Sequence, residues 1–218
     1  MSETVITVQG TFAKLYPAER ADAAISVHLE GPSRADVFDA VTESAQVVTT
    51  SIEALDDDAV ARWSSDRLRT WDEKPWSQDG TQLPLVFHAR IGFTVRFSDF
   101  DRLSTWLELV VDVPGVEVES LLWDLTESTR TTATAEVRSR AVKDAVAKAS
   151  IYAQSIGLGS VSATAIADPG MLGVSGSTEP SFRMAKDLAL SSTPDAQLSL
   201  KPESIEIEAT VDARFVAK

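Results

Sequence analysis

Apolar and polar positions along the chain fall into stretches of strand-like alternation and stretches of helix-like spacing. Residues 5–9 predict a short strand, ended by Gly10. From residue 21, Ala23, Ile25, Val27 and Leu29 alternate with Ala24, Ser26, His28 and Glu30, the period of a half-buried strand. Gly31-Pro32 stops that pattern. Ser33 then opens a helix, with Asp36 at the capping-box position and an apolar stripe through Val37, Val41, Ser44/Ala45, Val48, Ile52 and Leu55. Residues 59–71 predict a less regular strand. Trp63, Leu68 and Trp71 do not keep one parity, so a break is expected near Ser64-Ser65. The cleanest alternation follows. Leu85, Phe87, Ala89, Ile91, Phe93, Val95 and Phe97 face one way, and Val86, His88, Arg90, Gly92, Thr94 and Arg96 the other.

Asp99 reads as the N-cap of a second helix with its stripe at Phe100, Leu103, Leu107 and Val110 or Val111. Residues 116–126 form another strand. A third and longest helix runs from Ser128 or Thr129 to about Ser155, with Thr134, Val137, Ala141, Ala145, Ala149, Tyr152 and Ile156 on its inner face and Gly157 as its C-cap. A short strand over 160–167 precedes a segment over 168–202, rich in Ser, Pro and Gly and with a helical turn over 182–190. With few apolar anchors, that segment should be the first site of limited proteolysis. The closing alternation of Ile205, Ile207, Ala209, Val211, Ala213 and Phe215 reads as an edge-type strand.

The order from residue 21 to 126 is strand, helix, strand, strand, helix, strand. That is the ferredoxin-like split βαβ order, and the fold class is α+β. An N-terminal strand, the long third helix and two C-terminal strands extend this core, joining its sheet or forming a small second layer. One domain over 1–218 is expected, with the poorly patterned loop at 168–202 inside it.

Composition narrows the function classes. The 33 acidic and 20 basic side chains leave a formal charge of −13, a field that opposes phosphate binding, so no nucleic-acid partner is expected. No apolar run reaches the roughly 18–20 residues of a membrane span. Cysteine is absent, which removes disulfides, thiolate metal sites and a Cys nucleophile. The opening residues 1–8 show neither a basic n-region nor an apolar stretch before a cleavage site, which sets a cytoplasmic location as the expectation.

Three stretches carry a family resemblance. Ile6-Thr7-Val8-Gln9-Gly10 resembles the I-T-V-x-G opening of the SIMPL-domain family. Residues 138–149, followed by Tyr152-Ala153 and Ile156-Gly157-Leu158-Gly159, resemble its A-x-x-D-A-x-x-K-A helix. Residues 205–215 resemble its closing I-x-A-x-V-x-V-x-F strand. The resemblance spans nearly the whole chain. It implies an α+β fold, no known catalytic centre and a tendency to homo-oligomerise. The family's aromatic-rich middle strands are only loosely echoed by Trp71, Trp76 and Phe87.

Candidate chemistry is sparse. His28 and His88 lie by parity on the polar faces of their strands. A metal centre requires them to converge with a carboxylate, and solvent- or interface-facing imidazoles are the favoured reading. Asp56-Asp57-Asp58 lacks the spacing of a calcium loop and reads as a turn. Gly157 and Gly159 follow a helix, whereas a phosphate cradle opens one. Asp99 and Asp101 are explained by capping. Trp63, Trp71 and Trp76 cluster in sequence, chiefly as core or subunit contacts. No catalytic, cofactor-binding or metal residue is assigned, and no cofactor is expected. The expected function is a non-enzymatic, self-assembling protein with a scaffold or stress-related role, whose partners are further copies of itself or another protein. The alternative is a small-molecule or peptide binding module built on the Trp-rich region 63–76. Glu206, Glu208 and Asp212 are expected to complement His88, Arg90 and Arg96 either across the sheet within one subunit or between subunits, where they would set register and partner choice.

Overall fold

A computed structural model describes residues 3–56, 58–76, 79–80, 82–173 and 200–218. Along the chain these residues form β1 (Thr4–Pro17), β2 (Arg20–Gly31), α1 (Arg34–Glu53), β3 (Val60–Ser65), β4 (Arg69–Glu73), β5 (Val86–Phe97), α2 (Phe100–Val110), β6 (Val116–Asp124), α3 (Glu127–Ser155), β7 (Val161–Ala167) and β8 (Ser204–Ala217). The fold is mixed α+β, with two antiparallel sheets. The chain divides into two units, one built from β1, α3, β7 and β8 and one from the elements between β2 and β6.

In the β2–β6 unit the sheet order is β3-β5-β2-β6, and β4 also pairs with β5. Strands joined through a helix are thus held apart by a third strand: β5 lies between β2 and β3, and β2 between β5 and β6. The single irregular strand expected over 59–71 is two. β3 pairs with the end of β5, from Phe93 to Phe97, and β4 with its start, from Val86 to Arg90. At the break the Asp66 amide donates to the Gly92 carbonyl at 2.8 Å. The odd-numbered residues of β2 and β5 turn to the helices. Ala21, Ala23, Ile25, Val27, Phe93, Val95 and Phe97 are buried with Val41 and Val48 of α1 and Leu103, Trp106 and Val110 of α2. Both caps are where the sequence puts them. Ser33 Oγ accepts from the Asp36 amide at 3.5 Å, and Asp99 Oδ1 accepts from the Asp101 and Arg102 amides at 2.9 and 3.0 Å. The Trp106 indole donates to Ser51 Oγ at 3.0 Å, which joins the two helices and satisfies a buried N–H.

The other unit is a three-stranded sheet, ordered β1-β8-β7, under α3. Three expectations change here. Of the two arrangements left open for the added elements, they do not join the sheet of β2 and β5 but form one of their own, so the pairing of Glu206, Glu208 and Asp212 with His88, Arg90 and Arg96 across one sheet does not occur. Asp212 instead accepts from Gln9 Nε2 at 3.1 Å and from the Gly170 amide at 2.7 Å. β8 is the central strand and not an edge, since β1 and β7 pair with its two sides. β1 does not end at Gly10 but runs on to Pro17. Gly10 sits inside the strand because α3 lies against it: a Cβ there would come 2.1 Å from the Ala141 carbonyl oxygen and 2.7 Å from Ala145 Cβ.

The buried stripe of α3 is Ala133, Val137, Ala141, Ala145, Ala149 and Ala153. Tyr152 and Ile156, expected on that face, are exposed. A stripe advancing in steps of four rotates about the helix, because four residues exceed the 3.6 of one turn. By the last turn it has moved from Tyr152 to Ala153. The segment 182–190 and most of 168–202 lie outside the described residues. No described helix is long and apolar enough to cross a membrane.

Candidate functional site

The sheet of β2 and β5 has a second face, turned away from α1 and α2, that carries their even-numbered residues. The antiparallel register sets Glu30 opposite His88 and His28 opposite Arg90, which makes the two histidines diagonal neighbours. β4 sets Trp71 opposite His88. The three rings are nearly parallel. Trp71 and His88 lie 5.0 Å apart between centroids at 5°, Trp71 and His28 5.5 Å at 14°, and His28 and His88 5.5 Å at 20°.

This covering buries His88, which is 6% exposed, while His28 is half-buried. A solvent- or interface-facing His88 is therefore corrected. Parity places it on the polar face, but Trp71 and His28 close over it. His28 Nε2 and His88 Nδ1 are 3.3 Å apart. One of these nitrogens donates and the other accepts. Glu30 Oε2 stands 3.4 Å from His88 Nδ1, and Glu73 Oε1 stands 3.6 Å from His88 Nε2. The Nε2 atom is buried and has no hydrogen-bond partner.

The histidines do converge with carboxylates, yet the geometry does not suit a metal. The separation of the ring centres is close to the N···N distance plus two ring radii, so the facing nitrogens point at each other along one line. Half of 3.3 Å is well short of the roughly 2.0–2.1 Å of a Zn–N bond. Among the described residues no three His, Asp or Glu side chains are arranged to hold a metal ion. The arrangement fits a shared proton.

Neighbouring charges on this face are paired. Arg90 pairs with Glu119, and Arg96 Nε donates to Asp22 Oδ1 at 2.6 Å. Glu119 is the residue skipped where the β2–β6 register shifts between Ala24 and Ile25. Its carboxyl is held below the ordinary carboxylate range, foremost by the Ser26 hydroxyl and also by Arg90, against the opposing effect of partial burial. The buried Ser26 hydroxyl stands beside it without a hydrogen bond of standard geometry, so its effect is that of a nearby dipole.

The tryptophans expected as one region separate. Trp71 faces the histidines, Trp63 registers with Val95 on the helix side of the sheet, and Trp76 is exposed beside its bridge partner Gln82. Two shallow depressions of this unit run along α1, past Asp39, Glu43 and Val47, and between α1 and β4 at Phe38, Leu68 and Thr70. Neither includes the histidines. Asp56 pairs with Arg102 at 3.6 Å and the Asp58 carbonyl accepts from Ser98 Oγ at 2.7 Å, while Asp57 lies outside the described residues. Gly157 takes φ +78° and ends α3, its amide donating to the Gln154 carbonyl at 3.0 Å, as a C-cap requires.

The polar motif residues of α3 act on β1. Asp144 accepts from the Thr11 amide at 2.8 Å and pairs with Lys148 at 2.7 Å, and Lys148 Nζ donates to the Gln9 carbonyl at 3.0 Å. Lys148 foremost, then the Thr11 amide, holds the Asp144 carboxyl below its ordinary range. One turn of helix thus closes the backbone groups on either side of Gly10.

The sequence signal for the His–Trp cluster was the shared parity of His28 and His88. Glu73 and Trp71 had none, since they arrive through the register of a five-residue strand. No curated protein matches the chain. The model of the SIMPL family, described as proteins of unknown function (DUF541), matches residues 6–215. With its opening Ile6–Gly10 motif, its D-A-x-x-K helix and its closing motif over 205–215 all inside that match, the chain belongs to the SIMPL family.

Proposed function

We propose that this SIMPL-family chain is a non-enzymatic protein that assembles with copies of itself, in a scaffold role. One observation carries the reading. Ile151, Tyr152 and Ile156 on the last turns of α3 are 59%, 54% and 60% exposed, and Ile166 on the edge strand β7 is 50% exposed. Large apolar side chains left exposed on one unit favour a protein contact. The outer side of β7 adds a strand edge that has no strand partner among the described residues. Composition supports the non-enzymatic part of the reading, with no cysteine and only two histidines, which face each other. The ligand-binding alternative loses its joint platform because Trp63 and Trp71 lie on opposite faces of one sheet. Light scattering tests the assembly. The chain should have a mass that is a multiple of 23.5 kDa, and Ile151→Glu with Ile156→Glu should lower it. A monodisperse 23.5 kDa species at micromolar concentration and physiological salt would overturn the reading.

A further inference from the structure

We propose that His28 and His88 form a one-proton switch that fastens β4 to the sheet. Two observations carry it independently. The facing nitrogens are collinear at 3.3 Å, and the far nitrogen of His88 is buried, unpartnered and turned towards Glu73. With no added proton the pair holds one N–H between its rings. One added proton makes that contact a charge-assisted bond and sets a cation between Glu30 of β2 and Glu73 of β4. A second puts hydrogens on both facing nitrogens, so the bond is lost and like charges meet. Because Glu73 and Trp71 both belong to β4, the first proton strengthens that strand's attachment and the second weakens it.

Other charges around the pair do not mimic this response. From β4, Arg69 registers with Arg90 of β5, which is already paired with Glu119 of β6; Glu117 of β6 stands opposite Ser26, two residues from His28. Carboxylates stay ionised and guanidiniums stay charged through the roughly pH 5–8 window in which imidazoles change charge.

The chain's two histidines make the experiment direct. Imidazole 15N signals of the full chain are followed from about pH 8 to about pH 5, the window in which the carboxylates stay ionised, together with hydrogen-exchange protection factors for the β4 amides. The expected result is two separated steps, with β4 protection several-fold higher between them than on either side. His28→Gln should leave a single step and no maximum. Glu73→Gln should keep both steps and reduce the maximum. Two imidazoles titrating on superimposed independent curves, or β4 protection flat across the range, would overturn the proposal. If His28→Gln does not fold, the wild-type titration decides alone.

Discussion

Gly10 stands where no side chain fits, and the reason is backbone, not rotamer. A Cβ placed there meets the Ala141 carbonyl oxygen, which belongs to α3 and cannot turn aside. Gly10→Ala should therefore lower stability by about 3 kcal/mol, the upper end of ordinary overpacking costs, read as a fall in the urea midpoint. Asp144 supplies a second residue-scale prediction. Its carboxyl titrates lower in the folded chain than in the unfolded one, so the folded state binds fewer protons there. The stability this contributes is present above the ordinary carboxylate range and is lost as pH falls through that range towards the lowered value. Asp144→Asn should flatten that part of the acid limb in urea midpoints measured from about pH 6 to about pH 3. An unchanged acid limb would show that the contact with Thr11 and Lys148 contributes nothing.

At the scale of elements, α3 works through small residues. Ala141, Ala145 and Ala149 are fully buried, and the close approach they allow brings the helix onto β1 at Gly10. Ala145→Leu should cost about 1–3 kcal/mol of stability by overpacking, whereas Lys143→Ala, at an exposed position of the same helix, should stay within about 0.5 kcal/mol. Thermal unfolding of the two variants side by side checks it. The same helix illustrates a limit of pattern reading. Spacing identified its inner stripe from Val137 to Ala149, but chose Thr134 where the structure buries Ala133 and Tyr152 where it buries Ala153. Steps of three and of four both satisfy a helical template, and only the sheet beneath the helix selects between them. β8 shows the complementary case. Its alternation announced a half-buried strand, but alternation does not count neighbours, and β8 proved central.

At the scale of the molecule, a charge of −13 opposes any association of copies. Salt screens that repulsion, with a Debye length of about 8 Å at physiological ionic strength. If apolar contacts through α3 and β7 hold the assembly, raising salt from low to physiological should leave its mass unchanged or increase it. Light scattering across a salt series checks this. Dissociation on adding salt would instead assign the association to ion pairs and remove the role given to Ile151 and Ile156.

Local periodicity was enough to place nearly every described element, both N-caps at Ser33 and Asp99, and the faces of β2 and β5. These features depend on neighbours a few residues away, and the chain carries that information in its own spacing. The same parity put His28 and His88 on one face. It did not say that Trp71 would close over them, that Glu73 would stand beside the buried nitrogen, or that Gly10 would lie inside a strand. Each of those depends on register between segments far apart in sequence. Nor did it say that β1, β7 and β8 would form a sheet of their own. A strand's pattern shows that it needs a partner on its edge and a layer on its apolar face. Which segment meets that need is decided only when the whole chain packs, by the fit of side chains that no local spacing brings together.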